Sequence, residues 1–547
     1  MSHSELNQLK RAEQLFDAGK LDDAFELLNK FEKKQGLIIH DKIANYLLRI
    51  NFLYQQGRYN EILVLAEETY NKSLRLEKSL FSIDALMWKA SALINLNKLD
   101  EAYDIIYQGE EILKNFTQKV QTDFKQREAL IAFVKSELYD KKGDANLALK
   151  YCEHSLVLRE ELGINHEIAY SLYKIVFLLC FYTGELDRAL KYAKRSLAYA
   201  KKSTKKYYIA HSLIGLGGVY IYQGELDRGI LLFEQSLVIF KELKNKRMIA
   251  ISLNNLGDKY RMRGELDRAL ECLEQSLALQ LELGNLRDIA LTHDFLIQIL
   301  IDKGDLKRVK IFFHNLEQLN NQLNDKTINL IYLFLKALLL KISLRAFNRV
   351  KAEEILNQIL EEKDLSYEMT IRALLSLCEL HLIELRMTDD LEVLDDINPL
   401  IVQLLEIADK SHSYWILSET YLLQAKLALL TFDIKKAQQH LSQAQKIAEY
   451  YGLKQLVMKI SYEHDELLRQ TKMWENLKNS EVSLSERLEL SGLNDQMERM
   501  VKKRIIEIHE LSDEESVHLL ILSEGGIPLL SHSFIEGKSI ESHLFSG

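Results

Sequence analysis

Histidine, cysteine and carboxylate side chains are the groups in this sequence that could perform catalytic or metal chemistry. The chain has 15 histidines and 4 cysteines among its 547 residues. His154, His211 and His293 lie far apart, and no cysteine belongs to a CxxC pair. The sequence has neither the HExxH pattern of zinc hydrolases nor the GxxxxGKS/T pattern of phosphate-binding loops. It therefore predicts no catalytic residue, no metal site and no cofactor, and we expect that the protein is not an enzyme.

Many carboxylates belong to a short phrase that recurs. The phrase reads GELDRAL from residue 184, GELDRGI from 224, GELDRAL from 264 and GDLKRV from 304, at intervals of 40 residues. A pair such as Glu225 and Asp227 resembles catalytic carboxylates only if this repetition is ignored. Acidic residues at the start of a helix are stabilised by the helix dipole, so the repeated acids indicate helix starts. A fixed period of this size predicts a solenoid of repeated units.

Each unit is predicted to be two antiparallel helices. Apolar residues before residue 264 follow helical spacing, as in Leu253, Leu256 and Tyr260. Gly264 can adopt the left-handed conformation that ends a helix, and a second apolar helical pattern begins at Leu266. The small residue Gly257 is expected to let the two helices approach closely.

The pattern resembles the tetratricopeptide repeat. The residues that carry the resemblance are Leu256, Gly257, Tyr260, Gly264, Ala269 and Ser276. The preceding unit departs from the pattern at Gly229, where alanine is usual. The period also exceeds the usual length of about 34 residues. In this respect the repeats resemble those of Leu-Gly-Asn-rich G-protein-signalling modulators and of large bacterial regulators with helical-repeat sensor regions.

The resemblance implies an all-α fold, a right-handed superhelical solenoid of antiparallel helix pairs. Weaker copies of the unit extend the array over residues 1–475, in about ten or eleven units that are best defined between 165 and 305. Pro399 is expected to stand at the start of a helix.

In tetratricopeptide arrays the first helix of each pair lines the concave face, where peptides bind. By position, this implies partner-binding roles for nine residues: Lys174, His211, Tyr222, Asn254, Asn255, Asp258, Arg261, Asp294 and Gln298. Asn255 stands out because an asparagine side chain can both donate to and accept from a peptide backbone. The alternative is that these are ordinary solvated helix positions.

The C-terminal part of the sequence has a different pattern. Residues 476–512 are predicted to form a connecting amphipathic helix, with Gly492 as a candidate interruption. Within residues 513–547, two apolar runs flank the turn signal Glu524–Gly526 and predict a β-hairpin. The hairpin resembles the first strands of longin- or roadblock-type modules, which serve small GTPases, and we expect it to be the start of an incomplete α/β module. The alternative is a lone hairpin docked on the last helices.

The composition limits the classes of partner and the location that we expect. The net charge of −9 and the pI of about 6.0 argue against nucleic acid as a partner. The most apolar stretch, Ile328–Leu344, contains Lys336 and Lys341 and is too short to span a membrane. The scattered cysteines indicate reduced thiols and a cytoplasmic location.

Three functional hypotheses follow, with the oligomeric state left open. The first is a non-enzymatic scaffold or adaptor that binds partner peptides or helices on the concave face. The second is a signalling or transcriptional regulator whose array senses a ligand or partner and controls the C-terminal module, with small GTPases as a candidate connection. The third is a response-regulator phosphatase, for which only Gln14 and Gln35 are candidate residues and no motif supports them.

Overall fold

The structure is a computed structural model, and the parts of the chain that it describes are separated by short gaps. The described residues are 3–76, 80–116, 121–323, 325–342, 345–362, 365–410, 413–450, 454–478, 482–502, 517–522 and 528–534.

Helices joined by short turns follow one another as eleven successive pairs in the described residues up to 450. The first six pairs are α1 (His3–Asp17) and α2 (Leu21–Glu32), α3 (Ile39–Gln56) and α4 (Tyr59–Ser73), α5 (Phe81–Asn95) and α6 (Leu99–Lys114), α7 (Gln121–Lys142) and α8 (Ala145–Leu162), α9 (Asn165–Leu178) and α10 (Leu186–Ser203), and α11 (Lys206–Tyr222) and α12 (Leu226–Glu242). A π-helical turn, Leu179–Thr183, extends α9.

The remaining elements continue the same order. The next five pairs are α13 (Lys246–Arg263) and α14 (Leu266–Leu283), α15 (Leu286–Asp302) and α16 (Leu306–Leu323), α17 (Lys326–Lys341) and α18 (Ala346–Leu360), α19 (Tyr367–Thr388) and α20 (Leu394–Lys410), and α21 (Tyr414–Leu430) and α22 (Ile434–Tyr450). They are followed by α23 (Lys454–Leu477), α24 (Leu484–Leu490), α25 (Leu493–Lys502), β1 (Val517–Leu522) and β2 (Pro528–Phe534). The tetratricopeptide-type helical repeat predicted from the sequence is thus confirmed.

The repeated phrase forms the turn within a pair, as predicted. Gly264 has a φ of 88°, and its amide donates to the Arg261 carbonyl at 2.9 Å. The next amide, of Glu265, donates to the Tyr260 carbonyl at 2.9 Å, which completes a Schellman-type helix end. The Glu265 carboxylate accepts from Arg268 at 3.2 Å and caps no backbone amide. The acid and the arginine of the phrase therefore pair with each other at the start of the second helix.

Small residues let the two helices of a pair approach closely. A Cβ on Gly257 would lie 2.7 Å from Leu273 Cγ and 3.1 Å from the Ala269 carbonyl oxygen. The departure at Gly229 has a similar cause, because a Cβ there would lie 2.8 Å from the Gly217 carbonyl oxygen. Glycine at these positions is a packing requirement.

Recurrent serines on the second helices join the two helices of three pairs, whereas the Ser236 hydroxyl in a fourth has no hydrogen-bond partner among the described residues. The sequence indicates only that these positions are small. In three pairs the serine hydroxyl donates to an alanine carbonyl on the first helix: Ser155 to Ala129 at 2.8 Å, Ser196 to Ala169 at 2.8 Å, and Ser276 to Ala250 at 2.7 Å. The same side chain thus permits the close approach and adds a buried hydrogen bond to it.

First helices also contact the first helices of neighbouring pairs. Such contacts join α1 to α3, α3 to α5, α5 to α7, α9 to α11, α13 to α15, α15 to α17 and α21 to α23. No comparable contact between successive second helices is present in the described part of the chain. The first helices are therefore crowded together on one face, which we call the inner face. The apolar core lies between the layers and includes Leu300, Leu316, Leu335 and Leu356.

The chain divides into two compact units. The first comprises Met1–Glu384 together with Val393–Ser413, and the second comprises Leu385–Glu392 together with Tyr414–Gly547. The predicted domain boundaries near 475 and 512 stay predictions.

In the second unit, α21 is buried on nearly all sides because α24 and α25 pack against it. Glu419 on α21 accepts from Lys459 at 2.8 Å and from Gln496 at 2.5 Å. Lys426, also on α21, donates to Glu463 at 2.8 Å and to the Ser491 carbonyl at 2.9 Å. Both buried charges therefore have partners within this unit.

The predicted connecting helix is two short helices in the described residues. α24 and α25 are separated at Ser491 and Gly492, where Gly492 has a φ of 61°. The candidate interruption at this glycine is therefore present, and residues 503–512 of the predicted segment lie outside the described residues.

The expectation for Pro399 is wrong. α20 begins at Leu394, so the proline lies inside the helix. Proline has no N–H, so the Asp395 carbonyl four residues earlier lacks its usual helical donor. Because Pro399 is exposed, water can donate to this carbonyl instead.

At the C-terminal end, β1 and β2 pair antiparallel. Val517 faces Phe534 and Leu520 faces Ser531, and the register is irregular between Ile521 and Leu522. The turn predicted at 524–526 and the end of the chain lie outside the described residues. The resemblance to a longin- or roadblock-type module stays a prediction.

Matched glycine substitutions test the close approach. We expect Gly257→Ala to lower the free energy of unfolding by about 1–3 kcal/mol, because its Cβ overpacks the contact with Leu273. Gly218 is also helical, but no atom lies within 4 Å of the position that a Cβ would take there, so Gly218→Ala should raise stability by about 0.5–1 kcal/mol. Chemical denaturation of both variants measures the difference. Equal effects of the two substitutions would contradict the packing role of Gly257.

Candidate partner-binding face

The nine residues predicted to bind a partner all lie on first helices. They are Lys174 on α9, His211 and Tyr222 on α11, Asn254, Asn255, Asp258 and Arg261 on α13, and Asp294 and Gln298 on α15. Most of their polar groups are engaged by other residues of the first unit.

The first turns of α19 bind two of these residues. Tyr222 donates its hydroxyl to Glu368 Oε2 at 3.0 Å, across 146 residues of sequence. Asp294 accepts from both terminal guanidinium nitrogens of Arg372, at 3.1 and 3.2 Å. The Arg372 guanidinium also lies 4.3 Å from the centre of the Phe334 ring. We call this set the α19 contact, and in it one first helix contacts first helices that lie two and four pairs earlier.

Other predicted residues pair with neighbours. Lys174 donates to Asp140 Oδ2 at 2.5 Å, and Arg261 donates to Asp302 Oδ2 at 2.8 Å. Gln298 donates to Asp294 Oδ1 at 2.5 Å, and Asp258 forms an ion pair with Lys259. The first two pairs join neighbouring first helices, α9 to α7 and α13 to α15, and the last two lie within a single helix.

His211 lies among aromatic rings. Its ring centroid is 4.5 Å from that of Tyr207, 4.9 Å from Tyr173 and 5.4 Å from Phe240. Neither ring nitrogen has a hydrogen-bond partner among the described residues. Burial, together with the nearby charge of Arg247, lowers its pKa to about 3. The imidazole is thus a neutral, packed group near neutral pH.

Asn254 and Asn255 differ from the other predicted residues. Asn254 is buried, and its Oδ1 has no hydrogen-bond partner among the described residues. Asn255 is half-buried beside it. An acceptor on Asn254 and an amide on Asn255 are suited to a peptide backbone.

Turn residues form hydrogen bonds with the ends of helices that are far away in sequence. Asn245, before α13, donates to the Gln55 carbonyl at 2.6 Å across 190 residues of sequence. Asn97 donates to the Leu323 carbonyl at 3.0 Å across 226 residues. We call these hydrogen bonds the winding contact. Separations of this size leave no periodic signal, so the sequence did not predict it.

The winding contact helps to enclose a set of polar and aromatic side chains, which we call the inner chamber. Its members are Tyr54, Tyr59, Lys141, Tyr173, His211 and Arg247. The Arg247 guanidinium lies 5.6 Å from the Tyr59 ring centre, and the Tyr59 ring is 5.9 Å from that of Tyr54. Gly57 leaves room for this arrangement, since a Cβ there would lie 2.7 Å from Arg247 Cδ. The side chains of Arg247, Lys141, Tyr54 and Tyr173 keep part of their accessible surface although helices surround them.

Lys141 shows the electrostatics of the chamber. Burial and the repulsion of Arg287 lower its pKa to about 7, although Asp140 and Asp288 favour its charged form. The sequence did not single out Lys141, Tyr59 or Arg247, because none of them stands at a recurrent polar position.

The described residues contain no cluster of three or more histidine, cysteine, aspartate or glutamate side chains suited to a metal ion. A search of those same residues finds no helix with the length and hydropathy of a transmembrane span. Cys152, Cys180 and Cys378 are buried free thiols, and burial raises the pKa of each to about 12.

A family model of the MalT-like tetratricopeptide repeat (TPR) region matches residues 128–459. The chain belongs to this family. The match covers more than half of the chain, from within α7 to within α23. It includes α13, which carries four of the nine predicted residues.

Three solved structures illustrate the proteins to which this chain is similar. A Rap protein complexed with Competence and Sporulation Factor is 16% identical, with coverage of 67% of this chain and 95% of that chain and a TM-score of 0.43. The apo quorum sensor NprR from B. thuringiensis is 14% identical, with coverage of 66% of this chain and 100% of that chain and a TM-score of 0.45. A STAND protein with a TPR sensor from Pyrococcus horikoshii is 15% identical, with coverage of 59% of this chain and 48% of that chain and a TM-score of 0.37. No curated protein matches the chain.

The pair Asp294–Arg372 permits a double-mutant cycle. We expect Arg372→Met to lower the free energy of unfolding by about 3–5 kcal/mol, because it leaves the buried Asp294 carboxylate uncompensated. Adding Asp294→Asn should restore part of the loss. Chemical denaturation of the three variants measures the coupling, and strictly additive losses would show that the pair contributes nothing specific.

His211 should make stability depend on pH. Its pKa of about 3 in the folded state lies below the ordinary value of about 6.5, so the unfolded chain binds an extra proton between these values. Stability should therefore fall as the pH drops below about 6.5, by up to about 1.4 kcal/mol per pH unit from this group. His211→Phe should reduce the slope, whereas the same change at the exposed His314 should not. An unchanged slope in His211→Phe would refute the buried neutral state.

Proposed function

We propose that this chain is a non-enzymatic interaction protein whose inner face binds a peptide or helix of a partner protein. The α19 contact is the observation that carries the proposal. Glu368 and Arg372 stand four residues apart on one side of α19, and side chains from two different helix pairs hold them. The inner face thus has the chemistry to recognise a helix by its charged side chains.

The contact combines several modes of recognition. The carboxylate–guanidinium pair of Asp294 and Arg372 is bidentate, a geometry that depends on orientation as well as on charge. The Tyr222 hydroxyl adds a directional hydrogen bond, and the Phe334 ring adds a cation–π contact. An external segment would bind through the same kinds of contact at Asn254 and Asn255 on α13, the first helix between those that carry Tyr222 and Asp294 in the order of pairs.

The net charge supports a protein partner over nucleic acid. At −9 the chain lacks the basic excess that binds phosphate backbones. The charged groups on the inner face occur as pairs of opposite sign, such as Lys174 with Asp140 and Arg261 with Asp302. Such mixed charge suits the side chains and backbone of a peptide.

A second candidate is a regulator in which the array senses a ligand or partner and controls the C-terminal part. The division of the chain into two compact units favours it, because the β1–β2 pair belongs to the second unit and the predicted binding residues belong to the first. In this hypothesis the inner face binds the same partner, and the response to binding takes place in the second unit.

Selection from a displayed peptide library tests the binding function. Binders are first selected on the wild-type chain, and their affinities are then measured for Asn255→Ala. We expect about tenfold weaker binding, as for the loss of one or two hydrogen bonds to a peptide backbone.

Asn357→Ala is the matched control, because Asn357 is exposed on the second helix α18. Its affinity for the selected peptides should equal that of the wild type. Failure to select any peptide would refute the proposed function. Equal affinity of all three proteins would show that Asn255 on α13 does not belong to the binding surface.

A further inference from the structure

The Arg247 guanidinium lacks a close acceptor. Its nearest carboxylate oxygen, on Asp288, is 4.0 Å from Nε, which is beyond hydrogen-bond distance. One terminal nitrogen donates to Asn95 Oδ1 at 3.4 Å, and the other meets only the Met248 sulfur at 4.0 Å. Nε has no hydrogen-bond partner among the described residues. A guanidinium has five N–H donors, so most of its capacity is unused here.

The carboxylates around the chamber, by contrast, have donors. Glu137 accepts from the Tyr54 hydroxyl at 3.1 Å and from Ser91 at 3.0 Å. Asp288 accepts from the Asn285 side chain at 2.8 Å. Asp140 accepts from Lys174. The chamber therefore has an excess of unpaired donors, although its charges are of both signs.

Two further polar groups point to a ligand. The Tyr59 hydroxyl has no hydrogen-bond partner among the described residues, and the Tyr59 side chain is only 5% exposed. His211 is 4% exposed, and neither of its ring nitrogens has a hydrogen-bond partner among the described residues. Buried polar groups in folded proteins are satisfied by protein, water or ligand. The aromatic rings of Tyr173 and Tyr207 beside His211 offer flat apolar walls to that ligand.

We propose that the inner chamber binds a carboxylate-bearing ligand, with Arg247 as the bidentate anchor. Arginine matches the two oxygens of a carboxylate with two parallel N–H donors. The carboxylate has two sources, the free C-terminus of a bound peptide or a small organic acid. In its peptide form, the proposal rests on the proposed function.

The position of Arg247 on α13 fits a peptide. Arg247 and Asn255 are eight residues apart on the same helix, which corresponds to about 12 Å along its axis. About four extended residues span this distance. A peptide with its terminal carboxylate at Arg247 would thus reach Asn255 with its backbone a few residues earlier.

Two short-peptide libraries of the same composition test the proposal, one with free C-terminal carboxylates and one with C-terminal amides. Both are incubated with the full chain, and retained peptides are identified by mass spectrometry. In a second arm, succinate and citrate are titrated calorimetrically. Each measurement is repeated with Arg247→Gln, for which we expect about 10- to 100-fold weaker binding of the carboxylate ligand.

Each outcome decides between the two proposals. Preferential retention of free-acid peptides, lost in Arg247→Gln, supports the carboxylate site with a peptide source. Equal retention of acids and amides overturns the carboxylate site and leaves the proposed function standing. Arg247-dependent binding of succinate or citrate without any peptide supports the site and refutes the peptide function. The absence of binding in both arms overturns the site and the function together.

Two further variants guard against a folding artefact. Tyr59→Phe removes an unpartnered hydroxyl from a different helix, α4, and should weaken the same ligand if Arg247→Gln fails to fold. Arg268→Gln is the matched control, because Arg268 is half-exposed and pairs with Glu265 in the repeated turn. It should bind like the wild type, and helicity is checked for all variants by circular dichroism.

Discussion

The winding contact decides what kind of inner face this protein has. Asn245 and Asn97 donate to backbone carbonyls of turns that lie 190 and 226 residues away in sequence. Nearest-neighbour packing alone makes a solenoid whose inner face is open along its length. Here, contacts between distant pairs turn part of that face into an enclosed chamber. The approach of Arg247 to Tyr59 and Asn95 follows from these contacts, whereas His211 is buried by rings of its own and neighbouring helices.

Enclosure makes every polar group on the inner face energetically important. A buried charge without a partner costs several kcal/mol, roughly 3–5 when one partner of a pair is removed. The structure meets this constraint at Asp294 with Arg372, at Asp302 with Arg261 and at Asp140 with Lys174. Arg247 meets it less well, since its nearest carboxylate oxygen is 4.0 Å away, and the Tyr59 hydroxyl is one of several buried polar atoms of the described residues without a hydrogen-bond partner. Local departures from an otherwise satisfied interior are expected at functional sites, so the contrast within one face distinguishes structural charges from candidate binding groups.

The local structure was predictable because it depends on local sequence. The phrase around Gly264 identifies the turn, and the small residues Gly257 and Ala269 indicate the close approach of the helices. The positions of the first helices follow from the period, so the predicted residues do lie on them. Their partners were not predictable, because Glu368 reaches Tyr222 across 146 residues and no repeat relates the two. The sequence indicates only that Ser276 is a small residue. Its hydrogen bond to the Ala250 carbonyl depends on how the two helices pack, and the sequence does not show this.

The winding contact also limits how this array can change in evolution. Open solenoids gain and lose units readily, because each unit contacts only its neighbours. Here the turn after α3 is joined to the residue before α13, so the number of helix pairs between them is fixed by geometry. Duplication or deletion of one 40-residue unit in this interval would bring a different loop to Gln55 and open the chamber. The hydrogen bond from Asn97 to Leu323 imposes the same restriction between α6 and α16, so length variation among homologues should be concentrated outside both intervals.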